Sequence, residues 1–208
     1  MRYDYAPLVP SGGTPPPDAV EIYFPAPMSF SLAVDAMARQ GEQWRASWEL
    51  ARQLYIDSAG QTLRDLQRGM STFTTSPDLQ VFLAVEVHSE VPGSAVARLH
   101  QHIYVGSTVD DPARGRVPLD RRLLDIVVPN LYSSQTRFLA PQTEDLFGFT
   151  WKRGELEAFA GYVDQYPVTR DAACPGVHGP GRDRIYADDS RQRLRAERAE
   201  RAERRRAS

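Results

Sequence analysis

The chain has 208 residues, 41% hydrophobic and 25% charged, with a formal net charge of −2, so it can bury one core and has room for one domain plus tails. Its single cysteine, Cys174, excludes an intrachain disulfide and a Cys-rich zinc module. No apolar run approaches membrane-spanning length and the N-terminus lacks the apolar region of a signal peptide, so a cytoplasmic protein without a membrane partner is expected.

Residues 1–18 form a Pro-rich segment with Tyr3 and Tyr5 ahead of Pro7 to Pro17, either a tether or a frayed terminus. The run Val20-Glu21-Ile22-Tyr23-Phe24 alternates as a strand and puts Glu21 and Tyr23 on one face. Residues 35–69 have a helical apolar period through Trp44, Trp48, Ala51, Tyr55, Ala59, Leu63 and Leu66, with Gly69 as the expected C-cap.

The run 79–88 alternates again, with Glu86 and His88 on the face opposite Leu79, Val81, Leu83, Val85 and Val87. Turn chemistry at Glu90-Val91-Pro92-Gly93-Ser94 then predicts an antiparallel neighbour, the strand 99–107, which carries His100, His102 and Tyr104 on one face. In register, His88, His100 and His102 would converge on one divalent cation and leave coordination positions open, as in a catalytic site. The alternative is a set of ordinary sheet-surface histidines. Glu21 is the carboxylate expected beside them, orienting an imidazole or acting as a general base. Its bland reading is an exposed strand carboxylate.

Further on, 121–140 reads as a helix kinked or split at Pro129, 147–152 as a strand and 156–166 as a short helix. Residues 167–190 read as a Gly/Pro-rich linker containing Cys174 and a solvated His178. The tail 191–208 is a charged helix with Glu197/Arg201 and Glu200/Arg204 at i,i+4. Eight arginines against three glutamates put the tail at +5 and the remaining chain at −7. Arg191, Arg193, Arg195, Arg198, Arg201, Arg204, Arg205 and Arg206 are candidate phosphate contacts, or else the polar surface of a solvated helix.

The ordered set of motifs resembles the relaxase domain of conjugative plasmid transfer proteins, the TrwC/TraI-type members of the HUH endonucleases, over about residues 19 to 165. Glu21-Ile22-Tyr23-Phe24-Pro25-Ala26-Pro27-Met28-Ser29-Phe30-Ser31 is similar to the family's strand and helix entry. His88 matches the first metal histidine, and Leu99-His100-Gln101-His102-Ile103-Tyr104-Val105 matches the Leu-His-x-His strand. Gly115 to Asp120 matches the strand before the next helix, whose tyrosine has a counterpart in Tyr132.

The resemblance implies an α+β domain over 19–166, an antiparallel sheet with helices on one face and a ferredoxin-like, RRM-related core. It also implies Mg²⁺ or Mn²⁺ on His88, His100 and His102, a single-stranded DNA partner at a plasmid origin or DNA end, and other DNA-transfer or replication proteins as associates. A tyrosine, Tyr3 or Tyr5, would attack a phosphodiester and form a covalent link to DNA. Three departures bear on this: the family's first βα unit with its nucleophilic tyrosine has no counterpart, Met28 replaces a lysine, and the family's acidic strand residue becomes Glu21. Two alternatives therefore stand beside the nicking enzyme. One is a relaxase-derived DNA-binding, terminal or accessory protein without the nucleophile. The other is a metal-dependent hydrolase of a small substrate.

Overall fold

The computed structural model describes residues 15, 17–71, 83–88, 98–111, 113–159, 161 and 184–207. Within them lies a four-stranded sheet in the order β2-β3-β1-β8, formed by β1 (Val20–Pro25), β2 (Leu83–His88), β3 (His100–Val105) and β8 (Arg184–Tyr186). Two hairpins stand apart from it: β4 (Thr108–Asp111) with β5 (Gly115–Pro118), and β6 (Trp151–Lys152) with β7 (Glu155–Leu156). Four helices complete the α+β architecture: α1 (Met28–Arg39), α2 (Arg45–Ser71), α3 (Arg121–Phe147) and α4 (Ala187–Ala207).

The sheet is mixed rather than antiparallel. β1 pairs antiparallel with β3, and β3 with β2, but β8 runs parallel to β1. The segment expected as a linker to Ser190 thus contributes the fourth strand, and the C-terminal helix starts at Ala187. Three residues, Arg184-Ile185-Tyr186, are too short a run to stand out by periodicity among glycines and prolines.

One face of the sheet is apolar because alternation collects Ile22, Phe24, Leu99, Ile103, Val105 and Ile185 there. α2 and α3 cover it through Ala51, Leu54, Tyr55, Leu66, Leu124, Val128 and Leu131. Tyr132 sits on this face, its ring 4.6 Å from that of Phe24, so it is a core residue.

The helix expected over 35–69 is two helices. Gly41 lies between them at φ +85°, a conformation that side chains with a Cβ rarely adopt, and the 3-10 turn Glu42–Trp44 leads into α2. Gly69 does not end α2, which runs on to Ser71. Its role is close packing: a Cβ there would stand 2.6 Å from Val127 Cγ1 of α3.

Nor does Pro129 split α3, which passes through both Pro129 and Pro141. A proline removes an N–H and displaces the preceding turn. In each case the next residue carries a side-chain amide that donates back to a carbonyl of that turn: Asn130 Nδ2 to Ile126 O at 3.1 Å, and Gln142 Nε2 to Phe138 O at 3.0 Å. α3 therefore continues to Phe147, and the strand expected over 147–152 shortens to β6. The helix expected from Leu156 is a β7 strand followed by a 3-10 turn at 157–159.

Candidate functional site

Alternation on β1, β3 and β8 gathers Glu21, Tyr23, His100, His102, Tyr104, Arg184 and Tyr186 on the face opposite the helices. The register makes them neighbours: Glu21 lies across from Tyr104 and Arg184, and Tyr23 from His102 and Tyr186. On β2, His88 stands across from His100 and Glu86 from His102 in the backbone register. The site is deeply enclosed, with Glu21, Tyr23, His100, His102 and Tyr104 each at most 1% exposed.

The two described imidazoles are held through the same ring atom. His102 Nδ1 lies 2.6 Å from Glu21 Oε1, and His100 Nδ1 lies 3.0 Å from the carbonyl oxygen of Arg98. A carbonyl and a carboxylate accept only, so both Nδ1 atoms carry the hydrogen. In a neutral imidazole held this way the lone pair falls on Nε2, which is the tautomer a metal ligand needs and the outer-shell pattern that fixes it. Tyr23 supports both rings, stacked on His100 at 5.0 Å between centroids and edge-on to His102 at 5.5 Å. The rings of His100 and His102 are 5.1 Å apart.

Glu21 also accepts from Arg184 Nη2 at 2.8 Å. Burial works against the Arg184 charge, but the Glu21 carboxylate and Tyr186 outweigh it and hold its pKa above the ordinary arginine value. Arg184 reaches outward as well. With Arg121, Asp125, Tyr186, Asp189 and Arg193 it lines a cleft of about 480 Å³ between β8 and the first turns of α3 and α4. Arg193 faces Asp125 across it at 3.5 Å.

Of the residues singled out in the sequence, Glu21, His100 and His102 are brought into contact. His88 joins them by register, and its side chain lies outside what is described, as do Tyr3, Tyr5, Cys174 and His178. Among the described residues no set of three His, Cys, Asp or Glu side chains converges to hold a cation. Arg184, Tyr186 and Arg98 are site neighbours that sequence reasoning missed. A polar-apolar-polar triplet was the one signal for the first two.

The tail is helical as expected, with Arg201 and Arg204 paired to Glu197 and Glu200 at 4.0 and 2.5 Å. Arg193, Arg198, Arg201, Arg204, Arg205 and Arg206 are exposed. The side chains of Arg191 and Arg195 lie outside the description. Among the described residues no helix is long and apolar enough to cross a membrane.

The class defined by fold and site is an α+β protein with a buried His–Glu–Arg–Tyr cluster on one sheet face. Comparison with known proteins finds no matching family model, no matching curated protein and no matching solved structure.

Proposed function

We propose that this chain is a relaxase-like protein that holds a divalent cation on His88, His100 and His102 and engages a phosphodiester of single-stranded DNA. The observation that carries the reading is the shared ring orientation: Glu21 and the Arg98 carbonyl face Nδ1 of His102 and His100, the arrangement in which a neutral imidazole binds metal through Nε2. His88, paired with His100, is the natural third. An all-imidazole set favours Mn²⁺ or a later first-row ion over Mg²⁺, which prefers oxygen ligands. When bound, such an ion would polarise a phosphate oxygen and stabilise developing negative charge.

The protein's own residues have assignable parts. Glu21 orients His102 and neutralises Arg184, and Tyr23 fixes both ring planes by contact. A tyrosine hydroxyl attacking the phosphorus would form a phosphotyrosyl bond as the P–O bond to the leaving deoxyribose breaks, with the proton passing to a base and the leaving oxygen protonated. Tyr3 and Tyr5 are the candidates for that attack. The enclosure of the site, with both described histidines fully buried, favours a second reading: a relaxase-derived DNA-binding or terminal protein that keeps the metal without turnover.

Incubation with a labelled single-stranded oligonucleotide pool and Mn²⁺, followed by denaturing electrophoresis, separates the two. A covalent adduct lost in Tyr3→Phe or Tyr5→Phe and in His100→Ala/His102→Ala supports the enzyme. Retention on a native gel with no adduct or cleavage supports the binding protein. Neither retention nor Mn²⁺ binding would refute both.

A further inference from the structure

Arg98 precedes β3, two residues before His100, and its guanidinium takes no part in the contacts described above. Its side chain is buried, with the whole residue 3% exposed, yet Nε and Nη1 have no hydrogen-bond partner among the described residues. Guanidinium stays charged at any ordinary pH, and an uncompensated charge in a protein interior costs several kcal/mol. A residue serving only to fill space would not carry that cost.

Among the described residues no carboxylate is paired with the Arg98 guanidinium. Glu21 is committed to His102 and Arg184. Glu155 is committed to the first turn of α1, where its Oε2 accepts from Ser29 N at 3.2 Å and from Ser29 Oγ at 2.5 Å. Tyr55, within electrostatic reach of Arg98, stays a neutral hydroxyl because burial pushes its pKa far up, and it already donates to Phe24 O at 3.2 Å.

Position gives the orphaned cation a use. The Arg98 carbonyl is the group that pins His100 Nδ1, so backbone and imidazole move together. The bond from Ala26 N to Leu99 O, at 2.8 Å, carries the β1–β3 ladder one step past the Pro25–His100 pair. The alternation that places His100 and His102 on the site face thus extends back to residue 98.

We propose that Arg98 is a phosphate receptor, its guanidinium holding a phosphodiester of a DNA strand beside the histidine pair along an edge that includes Nη2 and one of the unpartnered nitrogens, Nε or Nη1. Guanidinium matches a phosphate's oxygens in a planar, two-pronged geometry that lysine cannot reproduce. This rests on the relaxase-like reading for the identity of the ligand. The anion site itself rests on Arg98 alone.

The test compares wild type, Arg98→Met and Arg98→Lys, each first checked for a native far-UV circular dichroism spectrum. Melting temperature is followed in inorganic phosphate against chloride of matched ionic strength. Binding of a short single-stranded oligonucleotide is followed by fluorescence anisotropy, and Mn²⁺ affinity by calorimetry. Phosphate should raise the melting temperature of wild type beyond chloride, and Arg98→Met should lose that response while melting no lower than wild type without phosphate. Arg98→Lys should recover only part of it. Oligonucleotide binding should weaken tenfold or more in Arg98→Met, with Mn²⁺ affinity unchanged.

Wild type that responds equally to phosphate and chloride overturns the proposal, whether or not the variants fold. So does an Arg98→Met protein that keeps the phosphate response. If the phosphate response depends on Arg98 while wild type binds no Mn²⁺, the metal-dependent reading fails and the anion site stands. If phosphate is bound through Arg98 but the oligonucleotide is not, the ligand is a free phosphate compound and the DNA assignment is overturned.

Discussion

Glu21→Gln is the substitution that most directly probes how the site is held. One oxygen of Glu21, itself 1% exposed, accepts from both His102 Nδ1 and Arg184 Nη2, and the Arg184 side chain is only 13% exposed. Glutamine keeps the shape and one acceptor oxygen but removes the charge, leaving Arg184 as a mostly buried cation without its carboxylate. Removing one partner of a buried pair costs about 3 to 5 kcal/mol, and the retained amide oxygen puts this case near the lower figure. Arg184→Met alone should also destabilise, while the double variant, which buries no stranded charge on either side, should lose about 2 kcal/mol less than the two single losses combined. Urea unfolding of the four proteins at constant protein concentration reads that coupling. Mn²⁺ calorimetry on Glu21→Gln should show affinity reduced about 10- to 100-fold, the usual effect of removing the group that fixes a ligand imidazole. Additivity of the two substitutions to within about 0.5 kcal/mol, together with unchanged Mn²⁺ affinity, would refute the account of Glu21 as the joint between the histidines and β8.

Gly69→Ala should destabilise by about 1 kcal/mol or more in urea: alanine gains up to about 1 kcal/mol of helix propensity, but its Cβ at 2.6 Å from Val127 Cγ1 forces α2 and α3 apart, an overpacking cost of about 1 to 3 kcal/mol. Asp65 is pulled in two directions, since burial raises its pKa while hydrogen bonds from Ser134 and Gln61 and the charges of Arg68 and Arg137 lower it, with a net downward shift. A depressed folded-state pKa contributes stability that is full above the unfolded value of about 3.9 and fades as pH falls through the folded value. The gap between wild type and Asp65→Asn, about 1 to 2 kcal/mol at pH 7, should therefore close on acidification, and a gap independent of pH would contradict the assignment. Asn130→Ala and Gln142→Ala should each cost about 0.5 to 1 kcal/mol in thermal unfolding, because each removes a side-chain hydrogen bond that braces the turn beside a proline. Replacing Arg201, Arg204, Arg205 and Arg206 with serine should leave the melting temperature nearly unchanged and flatten the salt dependence of oligonucleotide binding by about 2 to 3 in log–log slope, and an unchanged slope would leave the tail as a solvated helix.

Parity was the legible part. Alternation at 20–24 and 99–107 correctly sorted Glu21, Tyr23, His100, His102 and Tyr104 onto one face and Ile22, Phe24, Ile103 and Val105 onto the other, because a strand buried on both sides still has period two. What periodicity missed depended on partners far away in the chain. A three-residue strand is defined by the strand it pairs with, so Arg184 to Tyr186 was invisible until β1 was in place. Gly69 looked like a helix stop because its real constraint, Val127, is 58 positions downstream. Pro129 looked like a break, although the Pro-Asn dipeptide already held a local support: the Asn130 amide donates to Ile126 O in the turn that the ring loosens. Trp44, expected to bury with the rest of its helical stripe, falls in the 3-10 turn before α2 and is 39% exposed, since the break at Gly41 shifts it out of phase.

The two sheet faces also divide the labour energetically. On the helix side, aliphatic and aromatic residues from β1, β3, α2 and α3 are interchangeable in chemistry, and stability grows with the area they remove from water. On the other side the same strands bury a carboxylate, two imidazoles and a guanidinium, which stabilise nothing unless each finds its partner. Glu21, His102 and Arg184 do so with one another, and His100 does so through a main-chain carbonyl. Replacing that whole trio with well-packed apolar residues would be neutral or even stabilising for a fold that does not need it for structure. A triple variant Glu21→Leu/His102→Leu/Arg184→Met that melts at or above wild type and has lost Mn²⁺ and DNA binding would place the polar face on the side of function. A triple variant that cannot fold would place it on the side of architecture.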